Sequence, residues 1–153
     1  MILNFETTHF GAVGLDDSSI IDFPAGLPGF EDCRRFAVLQ HPASQALSFV
    51  QSLEHAGLCF LAVPVRTVRP DYRLAITDED AELLGIPAGA TPEIGRDVLA
   101  LVFLSLVEGE PATANLLSPV VIHLASRRAV QAIRPDQTYQ CREPLTAEEP
   151  ICS

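Results

Sequence analysis

The chain has 153 residues, 48% of them hydrophobic and 20% charged, with a formal net charge of −10 and a pI of about 4.6. That length suits one domain, large enough to bury about 68–70% of its unfolded surface, so its core needs neither disulfide nor metal. All 10 basic residues are arginine, and such an acidic chain is expected to repel RNA and anionic membranes over a Debye length, about 8 Å at physiological salt.

The longest unbroken apolar run is Val98–Leu104, far short of the ~20 residues of a membrane span. The first residues, Met1-Ile2-Leu3-Asn4-Phe5-Glu6, lack the basic region of a secretory signal. The expected location is cytoplasmic.

Residues 2 to 7 alternate, Leu3 and Phe5 on one face, Asn4 and Glu6 on the other, as in a half-buried strand. Gly11 and Gly14 then interrupt the pattern. Asp16-Asp17-Ser18-Ser19 reads as a turn, and Ile20–Phe23 as the returning strand.

The stretch Phe23-Pro24-Ala25-Gly26-Leu27-Pro28-Gly29-Phe30-Glu31 follows. Its prolines and glycines forbid both a helix and a central strand. Leu27-Pro28-Gly29-Phe30 suits a type II turn, with Pro28 presetting φ and Gly29 supplying the positive φ at the next position. Phe23, Leu27 and Phe30 are spaced to fold back as apolar plugs. Glu31 is the only ionisable group, so the stretch is a shape element. It is either a packed connection between strands or a recognition loop held rigid by its prolines.

Arg35–Gln40 reads as a strand ended by His41-Pro42, and 46–53 as a strand after a short helical turn. Leu58–Val63 is continuously apolar and suits a strand buried on both faces. Between Pro64 and Pro70, Val65–Arg69 reads as an edge or connection, and Arg73–Thr77 as a short alternating strand. Thr77 with Asp80 predicts a capped helix start, and Gly85 and Pro87 its stop. Asp97–Val107 predicts a long central strand, and 111–118 a short strand and bend. Val120–Leu124 and Ala129–Arg134 predict a hairpin, and Tyr139–Arg142 a last strand. Residues 1–145 thus form one mainly β domain, a small antiparallel β-barrel-like fold with one or two short helices. Residues 146–153 read as an acidic tail.

No chemistry-bearing motif emerges. The histidines (His9, His41, His55, His123) and cysteines (Cys33, Cys59, Cys141, Cys152) show no HxxxH or CxxC spacing. No metal, cofactor or catalytic residue is expected, and chelators and thiol reagents are expected to leave folding unchanged. No GxSxG, GxxxxGK[ST] or GxGxxG occurs. Asp78, Glu79, Asp80 and Glu82 read as a solvated helix start, and His123 as a surface or hydrogen-bonded residue. Asn115 either satisfies backbone groups at the bend before Pro119 or touches a partner.

Five segments in order resemble one family. FPAGLPGFE at 23–31 is similar to the signature of the flagellar assembly factor family FliW. Val50-Gln51-Ser52 resembles its LQS, Pro70-Asp71-Tyr72 its PDY, 113–122 its TANLxAPIVIN, and 139–145 its YxxRxPL. Val50, Ser118 and His123 depart from the usual Leu, Ala and Asn. The resemblance implies a small β-barrel-like fold without catalysis. It implies two protein partners, flagellin and the RNA-binding translational repressor CsrA, and no direct contact with nucleic acid or membrane. With Phe23 and Leu27 assigned to the core, it points to Phe30, Glu31, Asp71, Tyr72 and Asn115 as partner-binding. A small-molecule-binding barrel is the alternative, to be favoured by a tight pocket lined by His123, Asn115 and Tyr139.

Overall fold

The structure, a computed structural model, describes residues 2–7, 11–16, 20–40, 47–87, 89–106, 108–134, 136 and 138–145, the first two segments as backbone. Residues 17–19 of the predicted turn at 16–19, the strand end at His41-Pro42 and the tail 146–153 lie outside the described residues.

Strands β1 (Ile2–Thr7) and β2 (Gly11–Asp16) pair antiparallel as a two-stranded sheet. Gly11 and Gly14, expected to interrupt a strand, lie within β2, opposite Thr7 and Asn4. The ladder bonds backbone to backbone, so glycine weakens a strand without forbidding it.

All other strands form one sheet. Its order is β10 (Ala129–Gln131), β9 (Val120–His123), β7 (Val98–Ser105), β6 (Cys59–Pro64), β5 (Ser48–Ser52), β4 (Arg35–Gln40) and β3 (Ile20–Asp22). Neighbours pair antiparallel throughout. The far end of β7 also pairs with β8 (Thr113–Ala114), which pairs with β11 (Glu143–Pro144). The sheet curls until its ends approach. Asp22 N–H donates to Arg127 O at 3.0 Å, and Asp22 forms a parallel bridge with Arg128. The barrel is therefore nearly closed, as expected for its many short strands.

Side-chain alternation sorts the core. Phe36, Val50, Ala62, Leu101, Val120, Ile122 and Ala129 point inward and fill the barrel with Phe23 and Leu27. Their strand neighbours point outward and are covered by connections. Val63, Ala100 and Val102 lie under Val65, Tyr72 and Leu116. Val98, Val121 and Val130 lie under Leu84 and Ile86.

Two short helices make part of this cover. Helix α2 (Asp78–Leu84) begins as predicted, Thr77 Oγ1 accepting from Asp80 N–H at 3.1 Å. It ends at Gly85 in the left-handed conformation. The stretch 65–69, expected as an edge or a connection, is a connection and includes helix α1 (Val65–Val68), which buries Val65 against the sheet. The expected strand at 73–77 does not form. Leu74 and Ile76 pack over the outer clusters without a strand partner. The last strand falls at Glu143–Pro144, directly after the predicted Tyr139–Arg142.

Candidate protein-binding site

The connection from β3 to β4 is three successive turns. Gly26 N–H donates to Phe23 O at 2.9 Å, Phe30 N–H to Leu27 O at 2.7 Å, and Cys33 N–H to Phe30 O at 3.0 Å. Gly29, at φ +85°, supplies the left-handed position the middle turn requires. Gly26 is more constrained. At φ +70° it faces the Glu31 backbone so closely that a Cβ would lie 2.6 Å from Glu31 Cα.

Phe23 and Leu27 are buried as expected, Phe23 packing edge-on against Phe36 with ring centroids 5.1 Å apart. Phe30 remains 40% exposed. Its ring meets Phe60 edge-on at 6.0 Å, and Phe60 stacks on Phe103 at 4.5 Å. A partly exposed aromatic thus stands on a half-buried aromatic pair. Glu31 beside it is exposed, and its Oε2 accepts from Gly29 N–H at 2.9 Å. That bond ties the carboxylate to the turn.

Asp71 and Tyr72 part company. Asp71 is exposed, with Oδ1 3.6 Å from Arg69 Nε. Tyr72 is 1% exposed and leaves a partner almost nothing to touch, which corrects its assignment as a contact residue. Its hydroxyl donates to Leu116 O at 2.8 Å. Its ring packs on Tyr139 at 4.4 Å, and the Arg134 guanidinium lies over both rings, 5.5 and 4.8 Å from their centroids. Arg134 is itself buried. It donates to both carboxylate oxygens of Asp136, at 3.0 and 2.9 Å, and to Arg73 O. The charge-assisted bonds from Arg134 hold the Asp136 carboxyl down at about 2.

Asn115 turns to its own backbone. Its Oδ1 accepts from Ser118 N–H at 3.1 Å, closing the bend before Pro119. This is the structural one of its two sequence readings, and the side chain is half-buried. His123 is hydrogen-bonded as expected. Its Nδ1 lies 2.9 Å from Leu84 O and from Ser126 Oγ, joining the β9–β10 hairpin to the end of α2.

Phe30 and Glu31 are therefore neighbours on one exposed loop, with Asp71 and Asn115 on other connections. Sequence reasoning passed over Arg134 and Gln51. Gln51 is fully buried, and its Nε2 lies 3.0–3.4 Å from the carbonyls of Ser52, His55, Ala56 and Leu58, holding the β5–β6 connection. Also unforeseen is a group formed by Asp32, Cys33 and His55. Burial first, then the Asp32 carboxylate, pushes the Cys33 thiol above its ordinary value.

Among the described residues, two cavities are seen on the outer surface. One of about 340 Å³ lies beside α2, lined by Ile76, Ala81 and Ile86. The other, of about 550 Å³, is lined by Arg66, Tyr72, Arg73 and Arg96. Neither is lined by His123, Asn115 or Tyr139, and neither enters the packed barrel interior.

A filled, nearly closed β-barrel with Phe30 and Glu31 exposed on a turn-built loop defines a class: a small scaffold that presents loops. A family model described as "FliW protein" matches residues 4–145, and the chain belongs to the FliW family. It is 31% identical over 136 residues to the flagellar assembly factor FliW of Azoarcus sp. (strain BH72), covering 86% of this chain and 90% of that one. It is 31% identical over 147 residues to that of Treponema denticola, covering 95% of each. A crystal structure of the flagellar assembly factor FliW superposes with a TM-score of 0.80 at 26% identity, covering 96% of this chain and 99% of that one.

Proposed function

We propose that this chain is a flagellar assembly factor that acts in the cytoplasm without catalysis, binding flagellin and the translational repressor CsrA in alternation. When flagellin accumulates it occupies this protein and leaves CsrA free to repress flagellin mRNA. When flagellin is exported, the released protein binds CsrA and relieves repression. The observation that carries this reading is Phe30, an aromatic ring held 40% exposed on a turn-locked loop over Phe60. Apolar and aromatic anchors of this kind carry most of an interface's energy. Glu31 stands beside Phe30 on the same loop, and Asp71 and Asn115, on other connections, are assigned as further partner contacts, Asn115 in addition to closing its bend. The charge of −10 supports steering toward a basic partner and argues against direct RNA binding. The filled barrel gives the small-molecule alternative no comparable support.

The test is a paired measurement on Phe30→Ala: a thermal melt, and binding to flagellin and to CsrA. The expected outcome is a near-parental melt with loss of at least one partner, about tenfold or more in Kd. A folded variant that binds both partners as the parent does would overturn the assignment. The rate of association with CsrA is expected to fall from low to physiological salt.

A further inference from the structure

Among the described residues, Asp32, Cys33 and His55 bring a carboxylate, a thiol and an imidazole to one place, their donor atoms all within 4.8 Å of one another. Sequence spacing hides this. Asp32 and Cys33 close the last turn of the β3–β4 loop, and His55 lies in the β5–β6 connection. The ladder in which Phe36 faces Ser52 brings the two together.

Both backbones are fixed before any ligand arrives. Cys33 N–H is held by Phe30 O at 3.0 Å. His55 N–H donates to Ser52 Oγ at 2.9 Å, and His55 O accepts from Leu58 N–H at 3.0 Å. Cys33 is 1% exposed, whereas Asp32 and His55 are exposed. The thiol thus forms the floor, and the other two donors stand on the solvent side.

We propose that Asp32, Cys33 and His55 form a zinc(II) site that clips the Phe23–Cys33 loop to the β5–β6 connection. The donor set fits zinc. Thiolate and imidazole favour a borderline-soft ion over magnesium or calcium, and zinc accepts a carboxylate as third ligand. Bonds of about 2.0–2.3 Å in tetrahedral geometry place donors about 3.3–3.6 Å apart, within reach of side-chain rotation at Asp32 and His55. Three protein ligands leave a fourth position for water. On binding, the Cys33 S–H proton passes to solvent as the sulfur–zinc bond forms, zinc gives up all of its waters but the one in the fourth position, and no electron is exchanged. The site rests on these loops alone and stands or falls apart from the identity of any partner.

The test uses the full chain, reduced and stripped with chelator, titrated with cobalt(II) and then zinc(II). The expected result is a thiolate-to-cobalt charge-transfer band that saturates at one equivalent and is removed by zinc. Cys59→Ser and Cys141→Ser should keep the band, and Cys33→Ser should lose it. His55→Ala and Asp32→Asn alter exposed side chains and test the site without disturbing the core. Each should weaken cobalt binding about tenfold or more. Zinc should raise the Tm of the parent and not that of His55→Ala. A parent without the band, a band that survives Cys33→Ser, or parental cobalt affinity in both His55→Ala and Asp32→Asn would overturn the proposal.

Discussion

The loop at 23–33 and the cluster around Arg134 solve the same problem by different means. Each must order chain that belongs to no strand. The loop uses local backbone bonds, three turns in succession, and two apolar plugs. Its cost is conformational, and glycine at 26 and 29 meets it. The cluster uses one buried cation to gather residues far apart in sequence: Tyr72, Arg73, Asp136 and Tyr139. A buried charge is tolerated only where it is paired and hydrogen-bonded, and the Asp136 carboxylate and Arg73 O meet that need. The loop is therefore set by apolar packing and turn chemistry, whereas the cluster depends on ionisation.

This contrast can be broken at its apolar end first. Phe23→Ala empties the middle of the barrel and should cost ~3–5 kcal/mol, read as a lower denaturant midpoint. A loss below ~1 kcal/mol would mean that the ring is not a plug. At the cluster, Tyr72→Phe removes the donor to Leu116 O and should cost ~1–3 kcal/mol, with little change in partner binding.

Acid should separate the two regions further. Asp136 has its pKa lowered from 3.8 to about 2 by Arg134. Such a group lends the folded state stability that is complete above the unfolded value and disappears as pH falls through the folded one. Asp136→Asn should therefore flatten the fall in stability between about pH 4 and pH 2, while Phe23→Ala leaves that slope parental. An unchanged slope in Asp136→Asn would show that other carboxylates govern acid unfolding. The smallest change in stability is expected from Phe30→Ala, because 40% of the ring is already in water. Only its partner binding should move.

The same contrast explains what could be read in advance. Strands announced themselves through alternation and Gly/Pro punctuation, so β4 falls at Arg35–Gln40 as expected. The α2 cap and the Leu27–Phe30 turn depend on neighbours in sequence and were equally legible. Val65–Val68 was not. Pro64 and the β-branched valines favour extended chain, and the helix forms because Val65 turns into the sheet. Tyr72, between Asp71 and Arg73, looks like surface. Its burial follows from Arg134 and Leu116, which no local pattern connects to it. The Asp32–Cys33–His55 group was missed for the same reason, since metal-ligand spacing detects only donors close in sequence.

The barrel seam has a consequence of its own. Along the rest of the sheet each strand is held by a ladder, but among the described residues the backbone of β3 is joined to the β9–β10 hairpin through Asp22 alone. Cooperative units of a fold open where few bonds hold them. Deuterium should therefore enter first at the Asp22 amide and in the hairpin turn, well before the amides of β5 and β6. If so, the barrel breathes as a hinged sheet, with β3 and β4 swinging on the firmly laddered middle. The loop at 23–33, strung between those two strands, would move with them and take Phe30 along.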